Sequence, residues 1–126
     1  MERPRVLVVD DSADMRSSLK LLLELLGYEA ETARDGAAAF ELQRMRSFAV
    51  LITDIFMPGT EGMETIARFR AAWPGVRIIA MSGGGERAKR DYLSAAMQIG
   101  ADATMQKPFS LSTLISALNH PPLAPE

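Results

Sequence analysis

The chain has 126 residues, no cysteine, 48% apolar and 24% charged residues, and a formal net charge of −2. That suits one globular domain that buries roughly two-thirds of its unfolded surface without staples. It excludes disulfides and thiolate metal sites, gives no basic footprint for nucleic acid, and contains no apolar run near the ~18 residues of a membrane span. No signal peptide is expected and the expected location is cytoplasmic, with no membrane partner.

In chain order, Arg5–Val9 (RVLVV) is continuously apolar and predicts a strand buried on both faces. It runs straight into Asp10 and Asp11, two like charges side by side. From Met15, the stripe Leu19, Leu22, Leu23 and Leu26 predicts an amphipathic helix, closed by Gly27 at a C-cap position. Tyr28–Ala33 alternates and predicts a strand near an edge. Asp35 is placed to cap a helix to about Met45, and Phe48–Thr53 predicts a second buried strand ending in Asp54. Met57–Gly62 is a loop by its proline and glycines. A helix over 61–72 then carries Met63, Ile66, Ala67 and Phe69, and Trp73-Pro74-Gly75 stops it.

Val76–Met81 predicts a third buried strand, followed by Ser82 and three glycines. A helix ending near Gly100 buries Leu93, Ala96 and Met97, and Ala101–Met105 is a weak last strand. After Lys107-Pro108, the stripe Leu111, Leu114, Ile115 and Leu118 predicts a final helix capped by Ser110. Residues 1–119 read as the domain and 120–126, with the single histidine, as a proline-rich tail. Trp73 and the methionines read as packing residues.

Five β-α units at this spacing imply an α/β, doubly wound fold: a parallel sheet of order 2-1-3-4-5 with helices on both faces. Ligands of such sheets bind at the carboxyl ends of the strands. Asp10 and Asp11, Asp54, Ser82 and Lys107 all fall there. Three clustered carboxylates repel one another, and a divalent cation removes the conflict. Oxygen-only ligands suit Mg²⁺ better than Zn²⁺. A carboxylate can also accept a phosphoryl group as a nucleophile, with Lys107 and the Ser82 hydroxyl beside it to neutralise phosphoryl oxygens.

Four motifs at successive strand ends, VVDDS (Val8–Ser12), LITDIFMPG (Leu51–Gly59), AMSG (Ala80–Gly83) and KPF (Lys107–Phe109), resemble a two-component response-regulator receiver domain of the chemotaxis-receiver type, over Arg5 to about Leu118. The resemblance implies a flavodoxin-like, CheY-like (βα)5 fold and a role in phosphorelay signal transduction. It implies Asp54 as phosphoacceptor, Asp10 and Asp11 as the Mg²⁺-binding acidic pair with Asp54 and the Phe56 backbone carbonyl, Ser82 as the switch hydroxyl, and Lys107 as the family's lysine. It implies a cis Lys107-Pro108 peptide. The implied donor is a phosphohistidine on a sensor histidine kinase or phosphotransfer protein, with a downstream protein reading the switch. Such a domain catalyses only its own phosphorylation and dephosphorylation.

Two features depart from the family pattern. Thr104 stands where many receivers carry an aromatic switch residue, and the segment after strand 4 is about three residues longer than in the chemotaxis receiver. The signal is therefore expected to leave through Gly83–Asp91 rather than through residue 104. No output domain follows in the sequence, which suits either a stand-alone receiver or one cut from a longer protein. Two other functions compete. One is a Mg²⁺-dependent aspartate phosphatase, opposed by Phe56 where the acid/base aspartate belongs. The other is a degenerate receiver that binds partners without phosphorylation, opposed by the intact set of five residues.

Overall fold

The computed structural model describes residues 3–56, 61–83 and 86–118, with side chains left out at 61 and 86–91. Its elements are β1 (Arg5–Val9), α1 (Ala13–Leu25), β2 (Glu29–Ala33), α2 (Gly36–Arg46), β3 (Val50–Asp54), α3 (Glu61–Ala72), β4 (Arg77–Ser82), α4 (Glu86–Ile99), β5 (Ala103–Gln106) and α5 (Leu111–Leu118). The five strands form one sheet in the order β2-β1-β3-β4-β5, and every pairing is parallel. The expected alternation and strand order are both present.

Strand pleating divides the core in two, because successive side chains point to opposite faces. Leu7, Val9, Leu51, Ile78 and Ala80 pack with Ala39 of α2, Ile66 and Phe69 of α3, and Leu93 and Ala96 of α4. Val6, Val8, Ile52, Ile79, Met81 and Met105 pack with Leu19 and Leu23 of α1 and with Leu114 and Leu118 of α5. Trp73 is a packing residue as expected: its ring lies 5.0 Å from Phe69 and 4.7 Å from Phe40 between centroids.

Several helix faces are narrower than their apolar periodicity suggests. Met97 is 47% exposed rather than buried. Leu93 and Ala96 already cover the sheet, and residue 97 turns about 100° away from Ala96 on an α-helix. Leu111 and Ile115 of α5 are exposed in the same way, as are Met45 and Ala67. The methionines as a class are therefore not all packing residues.

Caps follow the sequence. The Ser12, Asp35 and Ser110 side chains accept from the N–H groups of Met15, Ala38 and Thr113. α1 consequently starts at Ala13, before its apolar stripe begins. Gly27 follows α1 with φ +98°, the left-handed region that favours glycine.

β2 starts at Glu29 and β4 runs from Arg77 to Ser82, each starting one residue later than expected, and two larger shifts have reasons that lie in side chains. Phe48 is not in β3, because Gln43 takes both its polar backbone atoms: the amide N–H donates to Oε1 at 2.9 Å, and Nε2 donates to the carbonyl at 3.2 Å. β5 starts at Ala103 because Asp102 acts as a bracket. Its carboxylate accepts from the Ile78 N–H at 2.8 Å and from Arg70 at 2.5 Å. The Arg70 guanidinium also donates to the carbonyls of Gly100, Pro74 and Val76, tying the ends of α3 and α4 to the start of β4.

Of the segment expected to carry the signal, Gly84 and Gly85 lie outside the described residues, as do the side chains of 86–91; the tail at 120–126, with His120, lies outside them too.

Candidate functional site

Parallel register brings the chemistry to one edge. β1 ends at Val9 opposite Thr53, so Asp10 and Asp54 leave neighbouring strands side by side. Both are buried, Asp10 completely. Asp11 is exposed. One carboxylate oxygen from each of Asp10, Asp11 and Asp54 falls within a common 4.8 Å. Two isolated turn aspartates would not place a third carboxylate there, and the adjacent like charges at the end of β1 make sense as half of this cluster.

Lys107 reaches the cluster from the end of β5. Its Nζ donates to Asp10 Oδ2 at 2.9 Å and to Asp54 Oδ2 at 3.1 Å. The Lys107 N–H donates to the Ser82 carbonyl at 2.7 Å, and the Lys107-Pro108 peptide is cis, as the resemblance implies. The other carboxylate oxygens are held by backbone: Asp10 Oδ1 accepts from the Ser12 N–H at 2.9 Å, and Asp54 Oδ1 from the Phe56 N–H at 3.0 Å. Ser82 is fully buried at the same edge, one residue beyond the Asp54–Met81 pair, and its hydroxyl donates to its neighbour Gly83 at 3.3 Å.

Burial pushes the Asp54 carboxyl above the usual carboxylate range, and the Phe56 N–H and Lys107 only partly offset this. For Lys107, burial works against the charged form. The hydrogen bonds and attraction from Asp10 and Asp54 outweigh it, so its ammonium sits above its ordinary value. A carboxyl raised in the folded state stabilises the fold at low pH, and that contribution is lost as pH rises through the folded value. Asp54→Asn is therefore expected to raise the urea midpoint of the metal-free chain at pH 7. The gain should shrink as the pH falls toward 3.8, the ordinary value for this carboxyl. A lower midpoint at pH 7 would contradict the strain assigned to this carboxylate.

The donor set fits Mg²⁺. It is all oxygen, holds three acids within reach of one ion, and carries more negative charge than Lys107 alone neutralises.

One residue of the site escaped the sequence reading. Gly62, in the first turn of α3, lies so close to the strand that a Cβ there would stand 2.4 Å from Ile55 Cα and 2.5 Å from the Asp54 carbonyl oxygen. Sequence alone shows it only as a loop glycine before a helix.

The sequence model of one family, the response regulator receiver domain, matches residues 6–119. The chain belongs to this family. The transcriptional regulatory protein PrrA of Mycobacterium tuberculosis is 36% identical over 113 residues, covering 90% of this chain and 47% of that protein. The response regulator MprA of Mycobacterium ulcerans is 32% identical over 90% of this chain and 48% of its own length. The chain thus spans about half the length of the curated relatives it matches. Among solved structures, a response regulator receiver domain protein from Clostridium thermocellum superposes with a TM-score of 0.84 at 29% identity, covering 93% of this chain and 92% of that one. The chemotaxis response regulator CheY4 of Vibrio cholerae gives 0.80 at 30% identity, covering 94% and 98%. The receiver fold and the receiver family are thereby shown. No described helix is long and apolar enough to cross a membrane.

Proposed function

We propose that this receiver domain, residues 1–119, takes a phosphoryl group from a phosphohistidine onto Asp54 and so switches its contacts with a downstream protein. The observation that carries the reading is the single lysine shared by two buried carboxylates: Lys107 Nζ lies 2.9 Å from Asp10 and 3.1 Å from Asp54. A merely structural ion pair needs one acid per base. Here two acids share one base and a third, Asp11, lies within 4.8 Å of them, which suits a place prepared for further positive charge and for a phosphoryl group.

In the transfer, an Asp54 carboxylate oxygen forms a bond to phosphorus as the P–N bond of the donor breaks. The electron pair of that bond goes to the leaving imidazole, which keeps or takes up a proton from solvent. The Phe56 N–H holds Asp54 Oδ1 and fixes the carboxylate's orientation. Lys107 is within reach to leave Asp54 for a phosphoryl oxygen while keeping Asp10, a charge-assisted contact that strengthens as charge builds on the group. Ser82, buried beside Asp54, is the hydroxyl available to a second phosphoryl oxygen. Mg²⁺ held by Asp10, Asp11, Asp54 and the Phe56 carbonyl would supply the remaining charge neutralisation. The chain's chemistry is confined to gaining and losing this group. The partners that follow are a sensor histidine kinase or phosphotransfer protein upstream and a protein target downstream.

Mixing the chain with a labelled phosphohistidine protein tests this. Label is expected to move to the chain with Mg²⁺ present and to stay on the donor with chelator. Transfer indifferent to chelator would contradict the site as described.

A further inference from the structure

Phe56 meets the site through its backbone. Its N–H donates to Asp54 Oδ1 at 3.0 Å, and its carbonyl is the fourth candidate cation ligand. Its side chain goes elsewhere. The ring meets Tyr92 of α4 edge-on, with centroids 4.6 Å apart and planes at 69°. Core packing does not demand this contact: Phe56 is 38% and Tyr92 44% exposed, and both stand outside the two core clusters. The next residue, Leu93, anchors α4 to the core. Tyr92 is thus free to hold the loop after β3 rather than the sheet. Thr104, by contrast, sits on β5 opposite Ala80 and has no ring to offer.

We propose that Tyr92 is a positioning residue that acts through Phe56, so that the Phe56–Tyr92 ring contact couples occupancy of the Asp54 site to the placement of α4. The proposal rests on the reading of that site given above. An occupant that draws on the Phe56 carbonyl or on Asp54 Oδ1 moves the Phe56 backbone, and the ring moves with it. The ring meets Tyr92, which stands on a helix whose Met97 and Ile99 are exposed. Coupling of this kind is reciprocal. The ring contact holds the Phe56 backbone in the place where the Asp54 site uses it, so removing the Tyr92 ring loosens Phe56 and weakens occupancy. An edge-to-face aromatic pair is strong enough to change an affinity roughly three- to tenfold.

Tyr92→Ala and Tyr92→Phe, compared with the unaltered chain, provide the test. In the metal-free chain, the Phe56 amide is expected to exchange faster in Tyr92→Ala. Mg²⁺ affinity by calorimetry should fall about three- to tenfold. The change in α4 amide protection caused by Mg²⁺ with beryllofluoride should shrink, while the urea midpoint stays close to that of the unaltered chain. Tyr92→Phe should behave as the unaltered chain, because the ring and not the hydroxyl makes the contact. Wild-type Mg²⁺ affinity and an undiminished α4 response in Tyr92→Ala would overturn the proposal while leaving the site intact. A Tyr92→Phe variant as impaired as Tyr92→Ala would overturn it too. Failure of the unaltered chain to bind Mg²⁺ would overturn the reading of the site, and this proposal with it.

Discussion

Lys107→Met is expected to slow phosphorylation of the chain about a hundredfold, the scale of losing one well-placed donor to a reacting oxygen. It should also destabilise the metal-free protein. Asp10 is wholly buried and Asp54 nearly so, and Lys107 Nζ is hydrogen-bonded to both. Removing the cation leaves two like charges close together with little water to screen them. Breaking such pairs costs about 3–5 kcal/mol when both partners are fully buried. The Lys107 side chain keeps 20% of its exposure, so about 2–3 kcal/mol is the better expectation. Saturating Mg²⁺ should recover part of that stability, because it binds only the folded arrangement of acids. It should not restore the rate, because the lysine's place beside the phosphoryl oxygens stays empty. Urea midpoints with and without Mg²⁺, together with the labelling rate, check both halves. An unchanged rate would show that Lys107 only balances charge.

Gly62→Val should be nearly as damaging, for a steric reason. The atoms a side chain would meet at 62 are backbone, at Ile55 and at the Asp54 carbonyl, and cannot swing aside like the end of a flexible side chain. Either α3 lifts from the sheet or the strand end carrying Asp54 shifts. Overpacking of this kind costs about 1–3 kcal/mol, and the upper part of that range applies here. Because the displaced strand end carries Asp54, the proposed phosphoacceptor, labelling should slow even where the variant remains folded. Gly62→Ala should show the same pattern in milder form. Loss of stability with an unaltered labelling rate would mean that α3 yields and the site does not.

The arrangement of the sheet was legible because continuous apolar runs, glycine stops and β-α spacing are all local properties. The same regularity put Asp10, Asp11, Asp54, Ser82 and Lys107 at strand ends, and the structure brings four of them together around the shared lysine or the acidic cluster. Ser82 arrives at the same edge but bonds to Gly83. What stayed hidden depends on particular side-chain contacts that no periodic pattern announces. Nothing near Phe48 announces that Gln43 will occupy its backbone, and nothing near Asp102 announces Arg70 from the end of α3. Met97 reads as buried because apolar character is local, whereas burial depends on how much sheet Leu93 and Ala96 leave uncovered. Phe56 reads as an interruption of a phosphatase pattern. Its contact with Tyr92 lies beyond a whole helix and strand, α3 and β4, and has no periodic signature.

The central claim is that Asp54 is the phosphoacceptor. Incubation with Mg²⁺ and a small acyl phosphate, followed by peptide mass mapping, addresses it most directly. The account predicts one added phosphoryl group, found on the peptide containing Asp54, absent with chelator and absent in Asp54→Asn. A phosphoryl group on any other residue, or labelling that persists in Asp54→Asn, would contradict it.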